Sequence, residues 1–160
     1  MTTATVISDA SFYREVGKKK PGFGGWAAWI RVDGISDPIK GFGSINAPKG
    51  VELTSTICEM YAAINGAWLA HQRGATSILI QSDCMTVIEL IAGKQIKPQL
   101  RNIWFDGIKM ANLEDVIISG RHVQGHNVVD VRSWVNDWCD QHARIGMTLA
   151  RKGKRCLSIV

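Results

Sequence analysis

No apolar run in this 160-residue chain approaches the ~18 residues that a membrane-spanning helix requires, so a membrane partner is not expected. The opening Met1-Thr2-Thr3-Ala4-Thr5-Val6-Ile7 has no basic start followed by a long apolar stretch, and no signal peptide is expected. Cysteines are few. Cys58, Cys84, Cys139 and Cys156 show no paired spacing and no C-x-x-C, which points to reduced thiols in an intracellular, cytoplasmic protein. His71, His122 and His142 have no ligand spacing either, and Cys139 with His142 lacks the second pair that a zinc site needs. Internal repeats, low-complexity stretches and linkers are missing, which leaves one domain.

What is present is an ordinary globular composition. Hydrophobic residues make up 46% and charged residues 21%, enough to exclude a disordered chain. The net charge of +5 is compatible with a polyanionic partner without requiring one.

The hydrophobic pattern predicts strands at 4–9, 25–32 and 39–45, joined by short loops as antiparallel hairpins. Lys18-Lys19-Lys20-Pro21-Gly22-Phe23-Gly24-Gly25 reads as a basic, glycine-rich loop. A helix is predicted over 54–72, capped by Thr54 or Ser55, with Ala62, Ala63, Gly66 and Ala70 on a face narrow enough to lie close to a sheet. A mostly apolar, central strand follows at 77–82, then helices at 84–92 and 99–112, a strand at 115–123 and a last helix at about 133–149. That order predicts an α/β fold, a mixed five-stranded sheet of three antiparallel strands and then two parallel ones, with helices on both faces.

Two apolar runs end alike, Val6-Ile7-Ser8-Asp9 and Ile78-Leu79-Ile80-Gln81-Ser82-Asp83. Carboxylates there are poor for packing and suited to a hard divalent cation. If the two strands are adjacent and parallel, Asp9 and Asp83 emerge side by side at the carboxyl edge of the sheet. Glu59, near the start of the long helix, leans over the same edge, and an aspartate of the last helix closes the cluster: Asp140, with Asp130 and Asp137 as rivals. Each has a plainer reading. Asp9 fits a turn start with Ser11, Asp83 fits the N-cap of helix 84–92, and a helix-surface aspartate needs no explanation. Glu59 on an otherwise apolar helix is harder to dismiss, because an unpaired buried carboxylate is costly. Carboxylates gathered without cations repel and push their pKa values upward, whereas two Mg²⁺ ions remove the penalty and support chemistry on phosphate esters.

Those residues resemble type 1 ribonuclease H. The resemblance runs through Ser8-Asp9-Ala10-Ser11, Gly22-Phe23-Gly24-Gly25-Trp26-Ala27-Ala28, Cys58-Glu59-Met60-Tyr61-Ala62-Ala63-Ile64, Ile80-Gln81-Ser82-Asp83 and Val123-Gln124-Gly125-His126. It continues in Asn136-Asp137-Trp138-Cys139-Asp140-Gln141-His142-Ala143-Arg144, whose register selects Asp140 over Asp137. It covers roughly residues 4–149 and implies a ribonuclease H-like catalytic domain over 1–150 and a basic C-terminal tail over 151–160.

The resemblance implies an endonuclease that cuts the RNA strand of an RNA–DNA hybrid and leaves 5′-phosphate and 3′-hydroxyl ends. It also implies two Mg²⁺ (or Mn²⁺) ions held by Asp9, Glu59, Asp83 and Asp140, with His126 on a loop assisting proton movement or product release. Action as a monomer is expected. Ser55 and Thr56 stand where the family commonly carries amides, and their hydroxyls are expected to meet a 2′-OH. Asn136 belongs to the same nucleic-acid surface.

Candidate phosphate contacts are Lys18, Lys19 and Lys20, then Lys94, Lys97 and Arg101, then Arg151, Lys152, Lys154 and Arg155. The Trp104 side chain reads as packing. Departures from the family pattern are Cys84-Met85 after the third carboxylate, a longer segment between His126 and Asp140, and a reduced basic protrusion. Two alternatives remain: a related metal-dependent DNA nuclease or resolvase, and a non-catalytic hybrid-binding module.

Overall fold

The computed structural model describes residues 1–16, 21–124 and 131–154, with the backbone alone for 131–133. Among these residues the elements run β1 (Thr3–Tyr13), β2 (Phe23–Val32), β3 (Ile39–Ser44), α1 (Ser55–Gln72), β4 (Ser77–Ser82), α2 (Met85–Ile91), α3 (Pro98–Met110), β5 (Ile117–His122) and α4 (Val131–Arg151). The sheet order is β3-β2-β1-β4-β5. β1 and β2 pair antiparallel, as do β2 and β3, while β4 lies parallel to both β1 and β5. This is the mixed five-stranded architecture expected. The other boundaries shift by one or two residues, but β1 continues past Asp9 to Tyr13, and Phe23 and Gly24, expected in a loop, begin β2.

Two cores explain the helices on both faces. Val6, Trp26, Ala28, Ile30 and Ile80 turn to one side, where α1 covers them and α3 packs against α1. Ala27 and Trp29 turn to the other, against Val135, Cys139 and Ala143 of α4. β2 therefore buries successive residues on both faces, which is why its run Trp26–Ile30 shows no alternation.

Helix α1 starts where Thr54 Oγ1 accepts a hydrogen bond from the Ile57 N–H at 3.2 Å. Its small-residue face does lie close to the sheet: a Cβ at Gly66 would stand 2.6 Å from Val6 Cγ1. Helix α4 approaches still closer, backbone against backbone. A Cβ at Gly25 would fall 2.0 Å from the Ala143 carbonyl oxygen, and one at Gly146 would fall 2.0 Å from that of Gly43.

The tryptophans of α4 are spent on its docking. Trp29 meets Trp134 and Trp138 edge-on at 5.0 and 5.6 Å, Lys40 Nζ lies 4.7 Å from the Trp29 ring, and His142 stacks on Trp138 at 3.9 Å. His142 Nδ1 is bonded to the Trp138 carbonyl oxygen and the Cys139 thiol donates to that of Ile7, so these two do not form a zinc site. Cys58, Cys84 and Cys139 are free thiols, and Cys156 lies outside the described residues. Burial pushes the Cys58 and Cys139 thiols up to about 12, which makes them inert packing groups. Among the described residues no helix is long and apolar enough to cross a membrane.

Candidate active site

The site forms where β4 leaves β1. The two strands pair in parallel register up to Ile7 opposite Gln81. Two residues further on, β1 presents Asp9 and the chain after β4 presents Asp83. Asp9 itself remains in the sheet, opposite Ala27 of β2, so it does not begin a turn. Nor does Asp83 cap α2: the N-cap is Cys84, without a side-chain cap, and Ser82 Oγ accepts from the Cys84 N–H at 3.1 Å. Both plainer readings of these aspartates fail.

Glu59 reaches the pair from the second turn of α1. One carboxylate oxygen from each of Asp9, Glu59 and Asp83 can be chosen so that all lie within 4.8 Å of one another. Asp140 lies beside this triad rather than within it. Its Oδ2 is held by Arg144 Nη2 at 3.1 Å, one turn along α4. It is still close enough for its charge to raise the Asp9 pKa. Asp137, the rival on the same helix, is exposed, and Asp130 lies outside the described residues.

The electrostatics are those of crowded carboxylates. Burial, then the charge of Asp83, lifts the Asp9 carboxyl to about 6, although the Ala10 N–H donates to its Oδ1 at 2.9 Å and works the other way. Burial, then the charges of Asp9 and Asp83, lifts Glu59 to about 9. One Glu59 oxygen, Oε2, is buried without a hydrogen-bond partner among the described residues. An orphaned buried carboxylate oxygen beside two further carboxylates fits a divalent cation. The donors are all oxygen, which suits a hard ion such as Mg²⁺ or Mn²⁺.

Asn136 of α4 lines the same pocket as Asp9, Asp83, Gln81 and Val123. Gln81 and Val123 were not among the expected site residues, although both stand in motifs that carry the resemblance. Gln81 left a signal, a polar residue directly after the apolar run Ile78-Leu79-Ile80, and it is buried in the pocket that Asp9 and Asp83 line.

The other expected contacts spread outward. Exposed Ser55 and half-buried Thr56 occupy the first turn of α1, one turn from Glu59. Lys97 is the N-cap of α3 and Arg101 follows one turn on, both exposed like Lys94, while Trp104 is buried as a packing residue. Arg151 ends α4 with its guanidinium 3.9 Å from the Tyr13 ring centre, and Lys152 and Lys154 follow exposed. His71 and His122 bond to the carbonyl oxygens of Ala75 and Asp83. Lys18, Lys19, Lys20, His126 and Arg155 lie outside the described residues.

Strand order, helix placement and the carboxylate cluster together define a ribonuclease H-like domain. Residues 18–128 match the family model described as reverse transcriptase-like, which spans more than half the chain. The chain belongs to that family, and its likeness to type 1 ribonuclease H is borne out.

Among solved structures it resembles the N-terminal RNase H domain of a Mycobacterium tuberculosis protein, with a TM-score of 0.67 at 18% identity, over 96% of this chain and 99% of that one. RNase H1 of the halophilic archaeon Halobacterium salinarum aligns with a TM-score of 0.64 at 17% identity, over 91% and 98%. LC11 RNase H1, isolated from compost and solved with an RNA/DNA hybrid, gives 0.64 at 15% identity, over 92% and 99%. At such identities the likeness is one of fold. No curated protein matches the sequence.

Proposed function

We propose that this chain is a ribonuclease H, an endonuclease that hydrolyses the RNA strand of RNA–DNA hybrids with two divalent metal ions and leaves 5′-phosphate and 3′-hydroxyl ends. The observation that carries this reading is the convergence of Asp9, Glu59 and Asp83 within 4.8 Å at the point where β1 and β4 part. The family membership and the hybrid bound by LC11 RNase H1 support it. Residues 1–150 are the catalytic domain in this reading, and 151–160 a basic tail that adds backbone attraction.

Asp9, Glu59 and Asp83 hold the metal, Mg²⁺ or Mn²⁺, and Asp140 completes the set from α4. Bound there, such ions activate water and steady the charge on the leaving oxygen. The chain's own contribution is position and charge. Burial keeps Asp9 and Glu59 poorly solvated, so their oxygens gain more from a cation than exposed carboxylates do. Arg144 restrains Asp140 beside the triad. Asn136, which lines the same pocket as Asp9 and Asp83, supplies its amide to a phosphate or ribose oxygen in this reading. Ser55 and Thr56 offer hydroxyls to the 2′-OH, the group that separates RNA from DNA. His126 moves a proton or helps release product, a role suited to an imidazole titrating near neutrality. Lys18, Lys19, Lys20, Lys97 and Arg101 neutralise phosphates and fix register without reading sequence.

A gel assay of matched hybrid, double-stranded RNA and double-stranded DNA, with and without magnesium, tests the proposal. Cleavage of the hybrid's RNA strand only with magnesium is expected. Equal cutting of the DNA duplex would make the chain a DNA nuclease, and hybrid binding without cleavage would make it a binding module.

A further inference from the structure

A second concavity lies away from the carboxylates, between α1, α3 and the loop that precedes α1. Its volume is about 310 Å³, at the lower end of small-molecule sites. Val51, Ile103 and Met110 give it apolar walls, and Lys49 and Asp106 stand at its exposed rim.

Tyr61 lines it from α1. The residue is 1% exposed overall, and its hydroxyl, which is not sealed from solvent, has no hydrogen-bond partner among the described residues. A hydroxyl so placed can donate to a ligand atom in the pocket. Burial, then the charge of Asp106, pushes this hydroxyl up to about 12, so it remains a neutral donor at any ordinary pH.

We infer that this pocket binds a small dipolar molecule of zero net charge with a large apolar body, of the kind represented by an aromatic α-amino acid. The rim fixes the charge pattern. Lys49 and Asp106 make no ion pair with any described residue, so each is available to a ligand group of opposite sign. An ammonium therefore faces Asp106 and a carboxylate faces Lys49, while the Tyr61 hydroxyl supplies a donor within. A nucleotide, with negative charge only, would gain Lys49 and be opposed by Asp106. A purely apolar ligand would leave all three polar groups unanswered.

The test uses the full chain without metal or nucleic acid, so its outcome is independent of the nuclease reading. L-Tryptophan is titrated while backbone amide shifts are followed by NMR, with tryptamine and indole-3-propionate as analogues lacking the carboxylate and the amine. Saturable shifts at Val51 and Gly107 are expected, with both analogues weaker by about three- to tenfold, the usual loss for one charged partner. Tyr61→Phe, Lys49→Ala and Asp106→Asn should each weaken tryptophan by a similar factor. The last two substitutions are at exposed positions, so they carry the test even if Tyr61→Phe disturbs the fold. Absence of saturable shifts, or equal affinity for tryptophan and both analogues, would overturn the assignment.

Discussion

Asp9 and Asp83 each stand two residues beyond the last paired position, Ile7 opposite Gln81, of the same two parallel strands. Neighbouring strands are ~4.8 Å apart, so the two chains deliver these carboxylates to one place on the sheet edge. Asp9 comes from within β1 and Asp83 from the bend that follows β4.

Replacement of either aspartate by asparagine removes charge while keeping shape. Asp9→Asn and Asp83→Asn are expected to reduce hybrid cleavage by at least about a thousandfold, with an unchanged far-ultraviolet circular dichroism spectrum. Near-normal turnover in either variant would contradict the metal assignment.

Glu59 gives a prediction about stability. Its carboxyl is raised from 4.5 to about 9, and that of Asp9 from 3.8 to about 6. Groups of this kind hold protons in the folded state that the unfolded chain has already lost. Their contribution is fully present below the unfolded values and declines as pH climbs through the folded ones. The metal-free protein should therefore lose melting temperature as pH rises from about 5 to about 9 through these two groups. Glu59→Gln should flatten that decline and melt a few degrees higher at about pH 8. Magnesium should raise the wild-type melting temperature more at high pH than at low. Parallel melting curves for the two proteins across pH would refute the coupling.

Arg144 shares the Asp140 carboxylate, yet its own side chain is 69% exposed. Such a pair contributes less than about 0.5 kcal/mol to stability, so Arg144→Ala should scarcely alter unfolding. It should instead leave the Asp140 charge less compensated and lower the magnesium concentration for half-maximal cleavage by about two- to threefold. A half-maximal concentration that rises would mean Arg144 supports the metal set indirectly or contacts substrate.

Lys97 and Arg101 should act on affinity rather than chemistry. Each alanine substitution is expected to reduce the slope of log affinity against log salt by about 0.7–0.9. The single-turnover rate at saturating hybrid should not change. If slopes match the wild type in both variants, α3 does not face the substrate.

For His126→Ala, turnover about ten- to a hundredfold slower with a flattened pH–rate profile is expected. An unaltered profile would remove the imidazole from the reaction.

Much of this architecture could be read before any coordinates, because its decisive signals are local. The helix over 55–72 announces itself through a cap and a long run of helix formers, and β4 through an apolar stretch ending in Ser82-Asp83. What escaped was contact between distant segments. Nothing in Ser8-Asp9-Ala10-Ser11 shows that β2 keeps pairing with it as far as Tyr13, opposite Phe23. Gln81 looks like a strand's last polar residue until the pocket is formed around it. The Arg144 link to Asp140 is an ordinary helical spacing that becomes meaningful only once Asp140 lies beside Asp9. The Trp29, Trp134 and Trp138 cluster joins a strand to a helix a hundred residues later in sequence, beyond the reach of any local pattern.

The bare backbone contacts at Gly25 and Gly146 bear on the pocket from its far side. They lie under the second half of α4, whereas Asn136 and Asp140 project from its first half. A single methyl at either glycine would act as a wedge, tipping the rod and swinging its other end relative to β1. Two glycines remote from the carboxylates thereby set how far Asp140 stands from Asp9.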